Sequence, residues 1–411
     1  MINTKRLKEE FQEISRFGAL KDKGITRLAF SNEDKDAREY LIKLIKQSGL
    51  KIKIDNVGNI YVRFDDVKEP NLSAISVGSH IDSVPNGGFY DGTLGVMSGL
   101  EAIRSIKESG LELKRPLELI VFVCEESSRF KMATIGSKII SSKLDTSKLK
   151  DLKDDNGISV FDAMKDFDLN PENLQECILK NGTYLAYLEL HIEQGPVLEK
   201  YNIPVGLVSG IAAPIRYELK VKGKADHSGA TPMNMRKDAL VCSSEIILNI
   251  EKLSKAHKTS VATVGYVKTS PGVLNVIPQE CVLGIDIRDI DYLQLEKLDS
   301  EICSCIVEIC KNRACDFELL QLTKDTPVVL DEKIIKLMKE QAEKLKIKTL
   351  VLPSGAGHDA MHMKGIADFV GMIFIPCKDG ISHNVNEDIN FNDAFKGTEL
   401  LAHTILDLAN S

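Results

Sequence analysis

Four short apolar runs punctuate the chain. Residues 72–77, 117–124, 184–190 and 369–376 are rich in Ile, Val, Leu or Phe and are bounded by polar or glycine-containing segments. That pattern predicts strands buried on both faces. Between the runs, apolar residues recur at helical spacing over 32–47, 93–109 and 331–344. Strands alternating with helices predict an α/β fold, with an α/β/α main domain built on a mixed, largely parallel sheet.

From about residue 215 to 329 the rhythm changes. Residues 216–225 alternate as a half-buried strand, 236–256 form an amphipathic helix, and 260–267 and 276–289 are strands around a TSPGVLN turn. A helix over 291–314 and a strand over 316–322 complete a βαββαβ order, the split ferredoxin-like arrangement. We therefore expect an inserted domain at 214–323, with 1–213 and 324–411 forming the main α/β/α domain.

Composition narrows the class. The chain has 411 residues, 43% hydrophobic and 27% charged, which suits two globular domains. Lys and Arg total 53 against 60 Asp and Glu, so the formal charge is −7 and neither nucleic acid nor an anionic membrane is an expected partner. The N-terminal residues Leu7, Phe11, Ile14 and Phe17 follow helical spacing. No apolar core of about 7–15 residues marks a secretory signal there, and no run of about 18 apolar residues marks a membrane span, so a cytoplasmic location is expected. Nine cysteines include Cys303, Cys305, Cys310 and Cys315 on one predicted helix. The paired spacing of a zinc site is missing, so reduced, mostly buried thiols are expected.

The polar residues that follow the apolar runs share one property. After the first comes GSHIDSVPNGGFYDGTLG with His80, Asp82 and Asp91; after the second, Glu125 and Glu126; after the third, His191, Glu193 and Gln194; after the fourth, His383. Ligands of open α/β sheets bind beyond the carboxyl ends of the strands. Four strands delivering His, Asp or Glu to that edge predict a mixed metal site of the kind zinc, manganese or cobalt accepts. A Glu pair directly after IVFVC would be costly to bury without a counter-charge. Asp82, two residues beyond His80, is placed to accept that imidazole's second N–H and fix its tautomer.

Six segments in order, GSHIDSVPNGGFYDGTLGV, CEESSRF, LELHIEQGPVLE, GKADHSGATPMNMRKDAL, SGAGHDAM and GISHN, resemble the amidohydrolase branch of the dinuclear aminoacylase/carboxypeptidase metallopeptidases. That branch contains N-carbamoyl-L-amino acid hydrolases and allantoate amidohydrolases. The resemblance implies a metal-dependent hydrolase that cleaves a carbamoyl (ureido) C–N bond, releasing amino acid, carbon dioxide and ammonia. Allantoate, or the substrate of an aminoacylase or peptidase of the same superfamily, is the alternative. It implies two divalent metal ions per subunit, zinc first, with manganese, cobalt or nickel as alternatives. It assigns His80 and His191 to the first metal, Asp91 to a bridge, Glu126 and His383 to the second metal, and Glu125 to the general base; Asp82 joins them as a catalytic candidate through its place beside His80. Gln194, His227, Asn275 and Arg288 match substrate-contacting positions, His227 coming from the small domain of a dimer partner. The resemblance thus makes 214–323 a dimerisation (lid) domain of a homodimer and the rest the catalytic domain. Gly357 and His358 of SGAGHDAM are candidate substrate-lining residues, His358 alternatively stabilising a glycine-rich turn. Two departures stand out: Cys124 and Ser127 flank the Glu pair where an acid and a Gly are frequent, and Val385 replaces the Pro of the last motif.

Overall fold

In the computed structural model, which describes residues 1–411, each apolar run falls largely within a strand. The strands in chain order are β1 (Lys51–Ile54), β2 (Ile60–Phe64), β3 (Ala74–His80), β4 (Leu117–Phe122), β5 (Tyr184–Ile192), β6 (Val205–Ile211), β7 (Ala213–Lys222), β8 (Val261–Ser270), β9 (Glu280–Asp289), β10 (Asp316–Lys324), β11 (Val328–Val329), β12 (Thr349–Ser354) and β13 (Ala367–Ile375). The chain divides into two units. One comprises Met1–Ser209, Leu330–Leu352 and His358–Ser411, the other Gly210–Val329 and Pro353–Gly357.

In the first unit the sheet runs β1-β2-β4-β3-β5-β13-β6, with β12 alongside β6. The central strands β4, β3, β5 and β13 are mutually parallel. The flanking β1, β2 and β6 run antiparallel to their neighbours, so the fold is mixed α/β with a largely parallel sheet. Strands β3 and β4 are buried along their whole length because helices cover the sheet. Leu94, Leu100 and Ile103 of helix Thr93–Glu108 and Leu401 and Ile405 of helix Phe391–Asn410 join Val77, Leu119, Leu188 and Ile373 in one apolar core. Each such side chain, fully buried, contributes roughly 1.5–3 kcal/mol. Helix Asn32–Gln47 starts where Ser31 accepts the Asp34 N–H, with Glu33 and Asp34 in its first turn.

The second unit has its own sheet, ordered β10-β7-β9-β8 and antiparallel throughout. Helices Ala239–Ala256 and Tyr292–Asn312 separate the strands in the order βαββαβ. Burial alternates strictly along β7 and β9, and the inward residues, among them Leu219, Val221, Leu283 and Ile285, pack on Ile246, Ile250, Leu298 and Ile302 of the helices. Both helices begin at an aspartate, Asp238 and Asp291, whose side chain accepts two backbone N–H groups. Strand β8 is an edge, mostly exposed. All nine cysteines are unpaired and seven are buried. No helix is long and apolar enough to cross a membrane.

Several boundaries differ from the sequence expectation for physical reasons. Strand β3 starts two residues late because the Leu72 N–H closes a turn onto the Glu69 carbonyl. It then runs on through Gly78, Ser79 and His80, which are polar or small yet buried.

Candidate metal centre

The carboxyl ends of β3, β4, β5 and β13 meet at one edge, and the site is assembled there. His80 is the last residue of β3, and His191 is the penultimate residue of β5. Glu125 and Glu126 follow β4, and His383 lies in the loop after β13. Asp91 sits one residue before the Gly92 cap of helix Thr93–Glu108.

Asp91 is the centre of this arrangement. Its Oδ1 lies 3.1 Å from His191 Nε2 and 3.5 Å from His80 Nε2. Its Oδ2 lies 3.1 Å from His383 Nε2, which is 3.3 Å from Glu126 Oε1. One carboxylate thus faces two ligand sets, His80 with His191 and His383 with Glu126. Within each triad, His80–Asp91–His191 and Asp91–Glu126–His383, the donor atoms lie within 4.8 Å of one another. Glu125 Oε2 stands 3.8 Å from His80 Nε2. All of these except His383 are buried.

Electrostatics describe the same set. Burial opposes ionisation of Asp91, but His191, His383 and His80 outweigh it and hold the group well below the usual carboxylate range. Burial pushes Glu125 and Glu126 up, against His80 and His383 respectively. Asp91 and Glu126 raise His383 to about 11. For His191, Asp91 outweighs burial and raises the imidazole; for His80, Glu125, Asp82 and Asp91 do so. The lone pairs that hold protons so firmly are those a divalent cation takes, since metal binding displaces protons from just such ligands. Imidazole nitrogens with carboxylate oxygens fit zinc, manganese or cobalt. Gln194 donates through Nε2 to Asp91 Oδ2 at 2.7 Å, while its own carbonyl oxygen is buried without a partner.

The surroundings hold these groups in place. His80 Nδ1 is 3.0 Å from the main-chain carbonyl of Asp82 and 3.6 Å from its carboxylate. The Asp82 carboxylate instead accepts the backbone N–H groups of Glu125, at 3.2 Å, and Glu126, at 3.0 Å. Asp82 therefore braces both His80 and the Glu pair. Cys124, Gln194 and His383 all have positive φ, 55°, 56° and 53°, a clustering of uncommon backbone typical of functional sites. A Cβ on Gly92 would lie 2.3 Å from His80 Nε2, so only glycine lets the chain pass that ring.

Other expected residues lie elsewhere or do more than one job. His358 is buried with its ring 4.5 Å from that of His191, and burial keeps it well below the usual imidazole range, hence neutral. In the second unit, His227 accepts the N–H groups of Gly229 and Ala230 through Nδ1, which leaves the ring proton on Nε2. The neighbouring Asn275 is exposed, and its carbonyl accepts the Ser228 N–H. Arg288 grips Asp286 through Nε at 2.7 Å and a terminal nitrogen at 3.2 Å, and donates to the Gly355 carbonyl at 2.9 Å. Asp286 is shared with Arg216 at 2.7 Å. Gly357 is half-buried in the 353–357 segment of the same unit.

Two contributors went unrecognised in the sequence. Glu387 accepts the N–H groups of Tyr90 and Asp91 at 2.9 and 3.2 Å, and the Ser382 hydroxyl at 3.0 Å. That hydroxyl also reaches Asp91 Oδ2 at 3.1 Å, so Ser382 and Glu387 fasten the His383 loop to Asp91. Ser382 stands inside the GISHN motif and Glu387 three residues beyond it, and neither a loop hydroxyl nor a loop acid carries a periodic pattern.

A model of Peptidase family M20/M25/M40 matches residues 76–407. An N-carbamoyl-L-amino-acid amidohydrolase of Pseudomonas sp. (strain NS671) is 35% identical over 409 residues, covering 98% of each chain. A ureidoglycolate hydrolase of Oryza sativa subsp. japonica is 36% identical, over 98% of this chain and 84% of its own. Among solved structures, an amidase of the hydantoinase/carbamoylase family from Burkholderia multivorans matches with a TM-score of 0.92 at 31% identity, over 100% of this chain and 98% of that one.

Proposed function

Because the chain belongs to peptidase family M20/M25/M40, we propose that this hydrolase of non-peptide C–N bonds cleaves the carbamoyl bond of N-carbamoyl-L-amino acids. One observation carries the reading: Asp91 stands between two imidazole-containing triads with Glu125 beside them. The relatives named for carbamoyl and ureido substrates support the choice of bond.

In this reading His80 and His191 would hold one divalent ion and Glu126 and His383 the other, with Asp91 common to the two sets. When bound, such a pair polarises a carbonyl and makes water nucleophilic near neutral pH. Zinc is the first choice, with manganese, cobalt or nickel as alternatives. Glu125 takes the proton of the attacking water and returns it to the leaving nitrogen. Asp82 keeps Glu125 and Glu126 oriented through their backbone N–H groups. The carbamic acid released then decomposes to carbon dioxide and ammonia. His227, with its proton on Nε2, is suited to donate to the developing oxyanion. Arg288 has five N–H donors and spends three within the protein, which leaves one on each terminal nitrogen for a substrate carboxylate. Asn275, Gln194, Gly357 and His358 complete the proposed substrate contacts.

We assign the βαββαβ unit the part of lid and dimerisation domain. The second reading is a ureide substrate such as allantoate, and the rice relative is named for another ureide, ureidoglycolate. Purified protein should contain two divalent ions per subunit and release ammonia from N-carbamoyl-L-amino acids faster than from allantoate or ureidoglycolate. Protein without metal that releases no ammonia from any of the three would end this proposal.

A further inference from the structure

The Glu125 turn is gripped on two sides. Asp82 takes its N–H groups. Its carbonyls are taken by a segment more than eight residues downstream: the N–H groups of Thr134, Ile135 and Gly136 donate to the carbonyls of Glu125, Cys124 and Val123 at 2.7, 2.9 and 3.1 Å. Both halves of this pairing are uncommon backbone, with φ of 55° at Cys124 and 57° at Thr134. A β-branched residue at such a φ persists only where its surroundings hold it.

What holds Thr134 is His362. The Thr134 hydroxyl lies 2.9 Å from His362 Nε2, and both residues are buried. Three residues along, the Ser137 hydroxyl donates to the buried Asp359 carboxylate at 2.5 Å. His362 Nδ1 and Asp359 Oδ2 have no partner. An orphaned buried polar atom is a cost that an apolar side chain would not carry. The group present must therefore act through its one bonded atom. Burial keeps His362 neutral, so that bond is an ordinary hydrogen bond rather than an ion pair. The same short segment carries His358 and donates the Ala360 N–H to Glu189 at 3.1 Å.

We infer that His362 is a positioning residue for Glu125, acting through the Thr134 hydroxyl, with Asp359 and Ser137 as a second strut. This rests on the reading of Glu125 as the base. His362 itself touches neither water nor substrate; it fixes the turn from which the Glu125 side chain projects.

The test compares Thr134→Val, His362→Phe, the double variant, and the conservative Thr134→Ser and His362→Gln, whose hydroxyl and amide keep the bond. Loss of one buried hydrogen bond that orients a base should lower kcat on the order of tenfold, with KM and metal content unchanged. The double variant should be no worse than either single one, because both remove the same bond. Both conservative variants should recover most of the loss. Hydrogen–deuterium exchange over 123–136 should rise in His362→Phe and remain unchanged elsewhere. Unaltered exchange there, or unaltered kcat in Thr134→Val, overturns the inference; so does an equal loss in Thr134→Ser. Should wild type itself turn over no ureido substrate, the proposed reaction fails, while the exchange measurement still decides the positioning. If His362→Phe does not fold, Thr134→Val carries both readouts.

Discussion

Two carboxylates adjacent in sequence, Glu125 and Glu126, stand among different neighbours. Glu126 Oε1 is 3.3 Å from His383, within a triad with Asp91, whereas Glu125 belongs to neither triad and stands 3.8 Å from His80. Glu125→Gln should therefore keep both metals and lose about 10²–10⁴-fold in kcat, because an amide neither takes nor returns a proton. Normal turnover with normal metal content would remove Glu125 from that role. Arg288 makes a second residue-scale prediction. Its fork is held by Asp286, so the two remaining N–H donors are preorganised. Arg288→Lys should cost nearly as much as Arg288→Ala, about 2–4 kcal/mol in kcat/KM, since a single ammonium does not reproduce a planar fork. A substrate with its carboxylate amidated should be discriminated against by wild type and not by Arg288→Ala; equal turnover of both substrates by wild type would sink the carboxylate-gripping role. At this scale the sequence was most informative about residues at strand ends. That His, Asp and Glu gather at four strand ends was legible because each group follows an apolar run; the choice of His80, Asp91, Glu126, His191 and His383 among them came from the resemblance of the six motifs. Glu387, Ser382 and His362 were not legible, since their contribution depends on which loop folds against which.

Elements explain why those strand ends converge. A continuous apolar run signals a strand buried on both faces, so the central parallel strands could be read directly. Strand β1, KIKI, alternates with lysine at an exposed edge, and β6, VGLVSGI, is interrupted by glycine; neither stands out from a loop by pattern alone. Helix Thr93–Glu108 adds a constraint that hydropathy does not reveal. Its cap, Gly92, has φ 62° and passes so close to His80 that a Cβ would overlap the ring. Gly92→Ala should displace His80, reduce bound metal from two ions toward one, and destabilise the fold by about 1–3 kcal/mol of backbone strain. Metal analysis with a thermal melt checks this, and a variant with two ions and an unshifted Tm would refute it.

At the scale of the whole molecule, the βαββαβ unit leaves one edge unfinished. Strand β8 pairs only with β9, and its other edge is open. Val261, Tyr266 and Val267 on it are exposed at 57%, 39% and 43%, and the helix Ala239–Ala256 adds exposed Leu240, Val241 and Leu248. Native proteins rarely leave a ten-residue edge strand bare, because its unpaired backbone groups invite another strand. Pairing of β8 with β8 of a second copy satisfies those groups on both chains by one two-fold axis. Wild type should therefore run at twice 45.5 kDa in light scattering. Val261→Lys with Val267→Lys should shift it to the monomer, since two charges per edge would face their symmetry mates. If His227 serves the partner's site, that monomer keeps its metals and loses most of its kcat, and activity of wild type falls on dilution through the dissociation range. A monomeric wild type with full activity would remove both the dimer and the role of His227 across it. A dimeric wild type whose lysine variant is monomeric and fully active would keep the interface and remove only the shared histidine.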